Sequence, residues 1–289
     1  MAQTQMALDS LDFDATVALA AKVAPHVDIL EIGTPCIKHN GIELLKTLRA
    51  KFPNNKILVD LKTMDAGFYE AEPFYKAGAD IVTVLGVADI GTIKGVIDVA
   101  NKYGKKAQVD LINVADKKAR TQEVAKLGAH IIGVHTGLDQ QAAGQTPFAD
   151  LALVTGLKTG AKVSVAGGVK AATVKQVVDA GADIVVAGAA IYGAADPAAS
   201  AKEITGLAHG SSASAGGFKW LPWAIAIGAA LLVLSLLTNK APEEAAEAPA
   251  ATEQGVEEAP MEAAPEAAPM EEVAPAEEAA PAEPAPEAQ

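Results

Sequence analysis

One short run, Asp60-Leu-Lys62-Thr-Met-Asp65, sets two carboxylates around a single ammonium group. If the run closes a strand, alternation turns Asp60 and Lys62 to the same face. Asp9, Glu31, Asp110 and His135 stand likewise at or just past the ends of short apolar runs. Such an acidic cluster with one lysine cannot ionise fully unaided. Carboxylates such as Glu31 and Asp60 suit a hard divalent cation, Mg²⁺ before Mn²⁺. A salt-bridge network without metal is the competing reading. Two glycine pairs suggest a second subsite: Ser164-Val-Ala-Gly167-Gly168-Val169 and Ala187-Gly188-Ala189-Ala190. Glycine lets backbone N–H groups come close to phosphate oxygens. The alternative is tight-turn glycine with no ligand. Together the residues read as a site for a phosphorylated small molecule beside a divalent metal. Cys36, His26, His39, His130 and His209 read as packing or surface residues, and nothing requires Lys38 at the site.

The elements that must carry these groups recur. Eight short β-branched runs end near Asp9, Glu31, Asp60, Gly86, Asp110, His135, Gly167 and Gly188. Between them lie helical patterns such as 15–24, 42–51, 92–102, 117–126 and 172–180. The helix-to-strand return repeats, since Ala77-Gly-Ala-Asp-Ile-Val matches Ala180-Gly-Ala-Asp-Ile-Val and Leu127-Gly-Ala-His-Ile-Ile is a looser copy. Glycine there closes a helix in the left-handed region. Near-continuous apolar strands alternating with helices mean a parallel sheet covered on its outer face. Eight units predict an α/β fold, a (β/α)8 TIM barrel, rather than an open doubly wound sheet. In such a barrel the functional groups sit at the C-terminal ends of the strands.

Beyond the barrel, taken as residues 1–209, the chain changes character. Residues 210–217 form a Gly/Ser/Ala linker, flexible by composition. The stretch 218–239 is apolar and free of internal charge apart from Lys219. Some 20 helical residues span about 30 Å, one hydrocarbon thickness, so a transmembrane helix is expected. Residues 240–289 are rich in Ala, Pro and Glu and read as a disordered acidic tail. The whole chain of 289 residues has a net charge of −13. That charge lies in the tail and argues against a nucleic-acid partner, which needs a basic surface. One cysteine excludes an internal disulfide framework. The start of the sequence lacks the basic and apolar regions of a secretory signal, so a cytoplasmic barrel on an inner-membrane anchor is expected. An anchored scaffold with incidental catalysis is the reading of a different class.

Three motifs together carry a resemblance. Asp60-x-Lys62-x-x-Asp65, Glu31-Ile-Gly-Thr-Pro35 and Ser164-Val-Ala-Gly-Gly168 resemble the orotidine-5′-phosphate decarboxylase suprafamily. Within it, Val59–Ala66, Thr83-Val-Leu-Gly86, His135-Thr-Gly-Leu-Asp139 and Ala190-Ile-Tyr-Gly193 are similar to the 3-hexulose-6-phosphate synthases. The resemblance covers residues 1–208. It implies aldol condensation of formaldehyde with D-ribulose 5-phosphate through a metal-stabilised enediolate. It also implies Mg²⁺ on Glu31 and Asp60, charge stabilisation by Lys62 and proton transfer by His135. Asp9 would orient Lys62 or the sugar, and Gly168, Gly188 and Ala189 would hold the phosphate through backbone N–H groups. Asp65 would reach into a partner's site, implying a homodimer. The nearest sister activity is 3-keto-L-gulonate-6-phosphate decarboxylase, whose arginines after the histidine are replaced here by Thr136-Gly137-Leu138.

Overall fold

The structure, a computed structural model, describes residues 1–210. The anchor and tail readings, and the linker beyond Gly210, fall outside the described residues. Among those that are described, no helix is long and apolar enough to cross a membrane.

Eight parallel strands close into a barrel in sequence order. They are β1 (Gln3–Leu8), β2 (Ile29–Ile32), β3 (Lys56–Thr63), β4 (Ile81–Leu85), β5 (Lys106–Asp110), β6 (Ile131–His135), β7 (Lys162–Ala166) and β8 (Ile184–Ala187). β1 pairs with both β2 and β8, which closes the sheet and excludes an open one. The outer helices are α1 (Phe13–Val23), α2 (Thr34–Lys51), α3 (Gly67–Lys76), α4 (Ile90–Lys102), α5 (Lys117–Lys126), α6 (Leu138–Ala142), α7 (Phe148–Gly156), α8 (Ala171–Asp179), α9 (Ala189–Tyr192) and α10 (Pro197–Ala208). α2 starts earlier than its periodicity suggests. Pro35 opens it after Gly33, and Gly41 (φ 63°) breaks it just before Ile42.

The strand register sorts the inward side chains into layers of four from alternate strands, as barrel closure demands. The lowest is a ring of isoleucines: Ile29, Ile81, Ile131 and Ile184, all buried. Above it lie Gln5, Leu58, Gln108 and Ser164. Next come Glu31, Thr83, Gly133 and Val186, then Ala7, Asp60, Asp110 and Ala166. The interior thus turns from apolar to polar within one layer of its floor.

The repeated return has a structural purpose at the lower face. Gly78, Gly128 and Gly181 all take positive φ, at 110°, 89° and 94°. Two residues later a side chain accepts the N–H near the start of the preceding strand. Asp80 accepts from Ile57 (3.0 Å), His130 Nδ1 from Ala107 (3.1 Å) and Asp183 from Val163 (2.8 Å). Asp28 does the same for Thr4 at 2.8 Å. The four odd strands are therefore capped alike. His130 has the packing role expected of it: burial, then Lys106, lowers its pKa, which keeps Nδ1 an acceptor.

Candidate active site

Above the amide layer the barrel opens into a cavity of about 1110 Å³. Asp9, Glu31, Asp60, Lys62, Asp110 and His135 all line it, as do Gly168, Gly188 and Ala189. Asp65 does not. It is exposed, and its Oδ1 accepts from the Ala66 N–H at 2.7 Å.

β3 is longer than its apolar run, because Asp60 and Lys62 belong to the strand itself. Strand alternation is not what brings them together. The register slips between Val59 and Thr63, two residues too many against β4, and Lys62 sits at φ 49°. A left-handed lysine in a bulge is a strained arrangement of the kind that functional sites retain. Thr83 holds the bulge from β4. It accepts from the Lys62 N–H (3.0 Å) and donates to Asp60 Oδ1 (2.7 Å). Asp60 Oδ2 accepts from Thr34 Oγ1 (2.6 Å) and from the Lys62 ammonium.

Lys62 also pairs with Asp110 Oδ2 at 3.4 Å, and the same oxygen meets His135 Nδ1 at 2.8 Å. Asp110 thereby joins the lysine to the histidine, although its place at a strand end carried no assigned role. Burial opposes ionisation of Asp110, but His135 and Lys62 bring its pKa below the usual carboxylate value. Burial would lower the His135 pKa, yet the Asp110 hydrogen bond and charge raise it on balance. For Lys62, burial is likewise outweighed by Asp60 and Asp110, so the ammonium form is favoured.

Glu31 is different. Burial, then the neighbouring Asp60, pushes its carboxyl up to about 8. Asp9 is raised by the same two causes. The site thus holds more buried carboxylate than Lys62 can balance, and a divalent cation on Glu31 and Asp60 fits that deficit. Among the described residues no three His, Cys, Asp or Glu groups gather to hold a metal alone. Two carboxylates completed by water and substrate oxygens is a mode Mg²⁺ accepts.

Gly33 and Gly167 are required by their surroundings. A Cβ on Gly33 would lie 2.0 Å from Asp9 Oδ1, so this glycine makes room for the carboxylate. Gly167 (φ 111°) would bring a Cβ within 2.5 Å of the Thr136 carbonyl. At the glycine end, Lys170 and Tyr192 also line the cavity. A basic side chain thus stands at this end of the cavity together with the backbone of Gly168, Gly188 and Ala189. Cys36 stays a packing residue, since burial raises its thiol pKa beside Thr16 and Asn40.

A closed parallel barrel whose strand ends gather acids, a lysine and a histidine in one cavity defines a (β/α)8 enzyme. The model of the orotidine 5′-phosphate decarboxylase / HUMPS family matches residues 2–204. The 3-hexulose-6-phosphate synthase of Methylomonas aminofaciens is 89% identical over 208 residues, covering 72% of this chain and 100% of the relative. The synthase of Mycobacterium gastri is 50% identical over 202 residues, covering 69% and 96%. Among solved structures, the 3-hexulose-6-phosphate synthase from Salmonella typhimurium aligns with a TM-score of 0.71 at 41% identity, covering 72% of this chain and 99% of that one. The 3-keto-L-gulonate-6-phosphate decarboxylase from Vibrio cholerae aligns with a TM-score of 0.65 at 26% identity, covering 72% and 97%. The chain belongs to the orotidine 5′-phosphate decarboxylase / HUMPS family, on its 3-hexulose-6-phosphate synthase branch, and is an enzyme of the lyase class.

Proposed function

We propose that residues 1–210 condense formaldehyde with D-ribulose 5-phosphate to give D-arabino-hex-3-ulose 6-phosphate. The observation that carries this reading is the Lys62–Asp110–His135 chain beside Glu31 and Asp60 in one cavity. The names of the relatives support it, and the 89% identity favours the synthase over the decarboxylase. Backbone N–H groups at Gly168, Gly188 and Ala189, with Lys170, bind the phosphate. Asp110 fixes His135 through Nδ1, which leaves Nε2 as the base. Neutral His135 removes a proton from the terminal hydroxymethyl carbon. Lys62 stabilises the enediolate oxygen where charge develops. The enediolate carbon then attacks the formaldehyde carbonyl, and the resulting alkoxide takes back the proton held on His135. Mg²⁺ or Mn²⁺, held by Glu31 and Asp60, would supply Lewis-acid polarisation of the ketose oxygens. Asp9, beside Lys62, orients it or the sugar. Asp65 completes the site of a second copy in a homodimer. The barrel is cytoplasmic, and the 218–239 segment anchors the chain to the inner membrane.

Carbon-13 formaldehyde tests the reading. Label should enter a hexulose phosphate, and Lys62→Ala should lower that rate at least a hundredfold while circular dichroism stays unchanged. Carbon dioxide release from 3-keto-L-gulonate 6-phosphate without label uptake would instead select the decarboxylase.

A further inference from the structure

The layer directly under the acids is unusual. Barrel interiors are commonly filled with bulky branched residues, but this one carries Gln5, Gln108 and Ser164 around Leu58. Gln5 is 1% exposed. Its Nε2 donates to Glu31 Oε2 at 2.6 Å. Its Oε1 is buried without a hydrogen-bond partner. Against the ionised Glu31 that a cation requires, turning the amide over would set oxygen against oxygen, so Glu31 dictates the orientation and the orphaned acceptor follows. A buried unpaired acceptor costs about 1–3 kcal/mol. A leucine or methionine would remove that orphan but strip Glu31 Oε2 of its donor, so the gain and the loss in stability roughly cancel. Gln5 is therefore poorly explained by stability.

We infer that Gln5 is a positioning residue, fixing one oxygen of Glu31 so that the other is available to a divalent cation in the cavity. The inference rests on the proposed metal role of Glu31 and Asp60. Gln108 serves as an internal contrast. It shares the layer and also has a buried, unpaired Oε1, but it makes no hydrogen bond to Glu31. Partners of metal-binding side chains change metal affinity by about 10–100-fold when removed.

The test is Mn²⁺ titration, followed by electron paramagnetic resonance, of the full chain and of Gln5→Met and Gln108→Met. Gln5→Met should bind Mn²⁺ at least tenfold more weakly. Its thermal midpoint in EDTA should be no lower than that of the unaltered chain, and its KM for ribulose 5-phosphate should hold within about twofold. Gln108→Met should bind Mn²⁺ as the unaltered chain does. Equal Mn²⁺ affinity in Gln5→Met overturns the inference alone. A lowered midpoint or failed folding of Gln5→Met makes Gln5 structural and overturns it as well, as does an equal loss of affinity in Gln108→Met. Absence of Mn²⁺ binding by the unaltered chain refutes the metal reading, and this inference falls with it.

Discussion

At the scale of single residues the site is organised by Asp110, through its ties to Lys62 and His135. Its hydrogen bond and charge overcome the burial that would lower the His135 pKa and raise it on balance. A base must be neutral, so the rising limb of the pH–rate profile should lie above the ordinary histidine value of about 6.5. Asp110→Asn removes the raising charge. The limb should then move to lower pH, with kcat down about a hundredfold, as steady-state rates across pH would show. A limb that stays in place would detach Asp110 from the base. Glu31, Asp60, Lys62 and His135 were legible because strand-end acids and bases stand out in an apolar sequence. Asp110 was visible but mute, since its partners lie 25 and 48 residues away along the chain. Gln5 and Lys170 gave no signal, and Thr83 entered only within the Thr83-Val-Leu-Gly86 motif without a role, because glutamine in a strand and threonine opposite a bulge look like ordinary strand residues.

At the scale of elements, strands and returns were legible because period and glycine placement record them directly. The β3 bulge was not. A positive φ at Lys62 has no signature in a lysine, and only the β4 register reveals it. The kink at Gly41 and the short α6 and α9 escaped for the same reason: a few residues carry no periodicity. The two ends of the barrel divide labour between the elements. Asp183 lies on the lower face and accepts the Val163 N–H, far along the chain from the strand-end acids. Asp183→Ala should cost about 1–3 kcal/mol in denaturant unfolding and leave kcat unchanged. A loss of activity without loss of stability would contradict that separation.

At the scale of the whole molecule, charge couples to stability, and the proposed cation would couple with it. Glu31 titrates near 8 when folded and near 4.5 when unfolded. The folded state therefore holds a proton that the unfolded chain releases. Stability from this group is full below pH 4.5 and is lost as pH rises through about 8. Cation binding needs the ionised carboxylate, so Mg²⁺ should raise the thermal midpoint more at about pH 8.5 than at about pH 6. Equal shifts at both pH values, read by scanning calorimetry, would place the cation elsewhere. A charge of −13 sits in residues 240–289 alone and does not enter this coupling. The most direct measurement is formaldehyde consumption by residues 1–210 with ribulose 5-phosphate, in Mg²⁺ and in EDTA. Hexulose phosphate formed in step with formaldehyde loss, and silenced by EDTA, is the expected result. Undiminished turnover in EDTA, or no formaldehyde loss in Mg²⁺, would contradict the account.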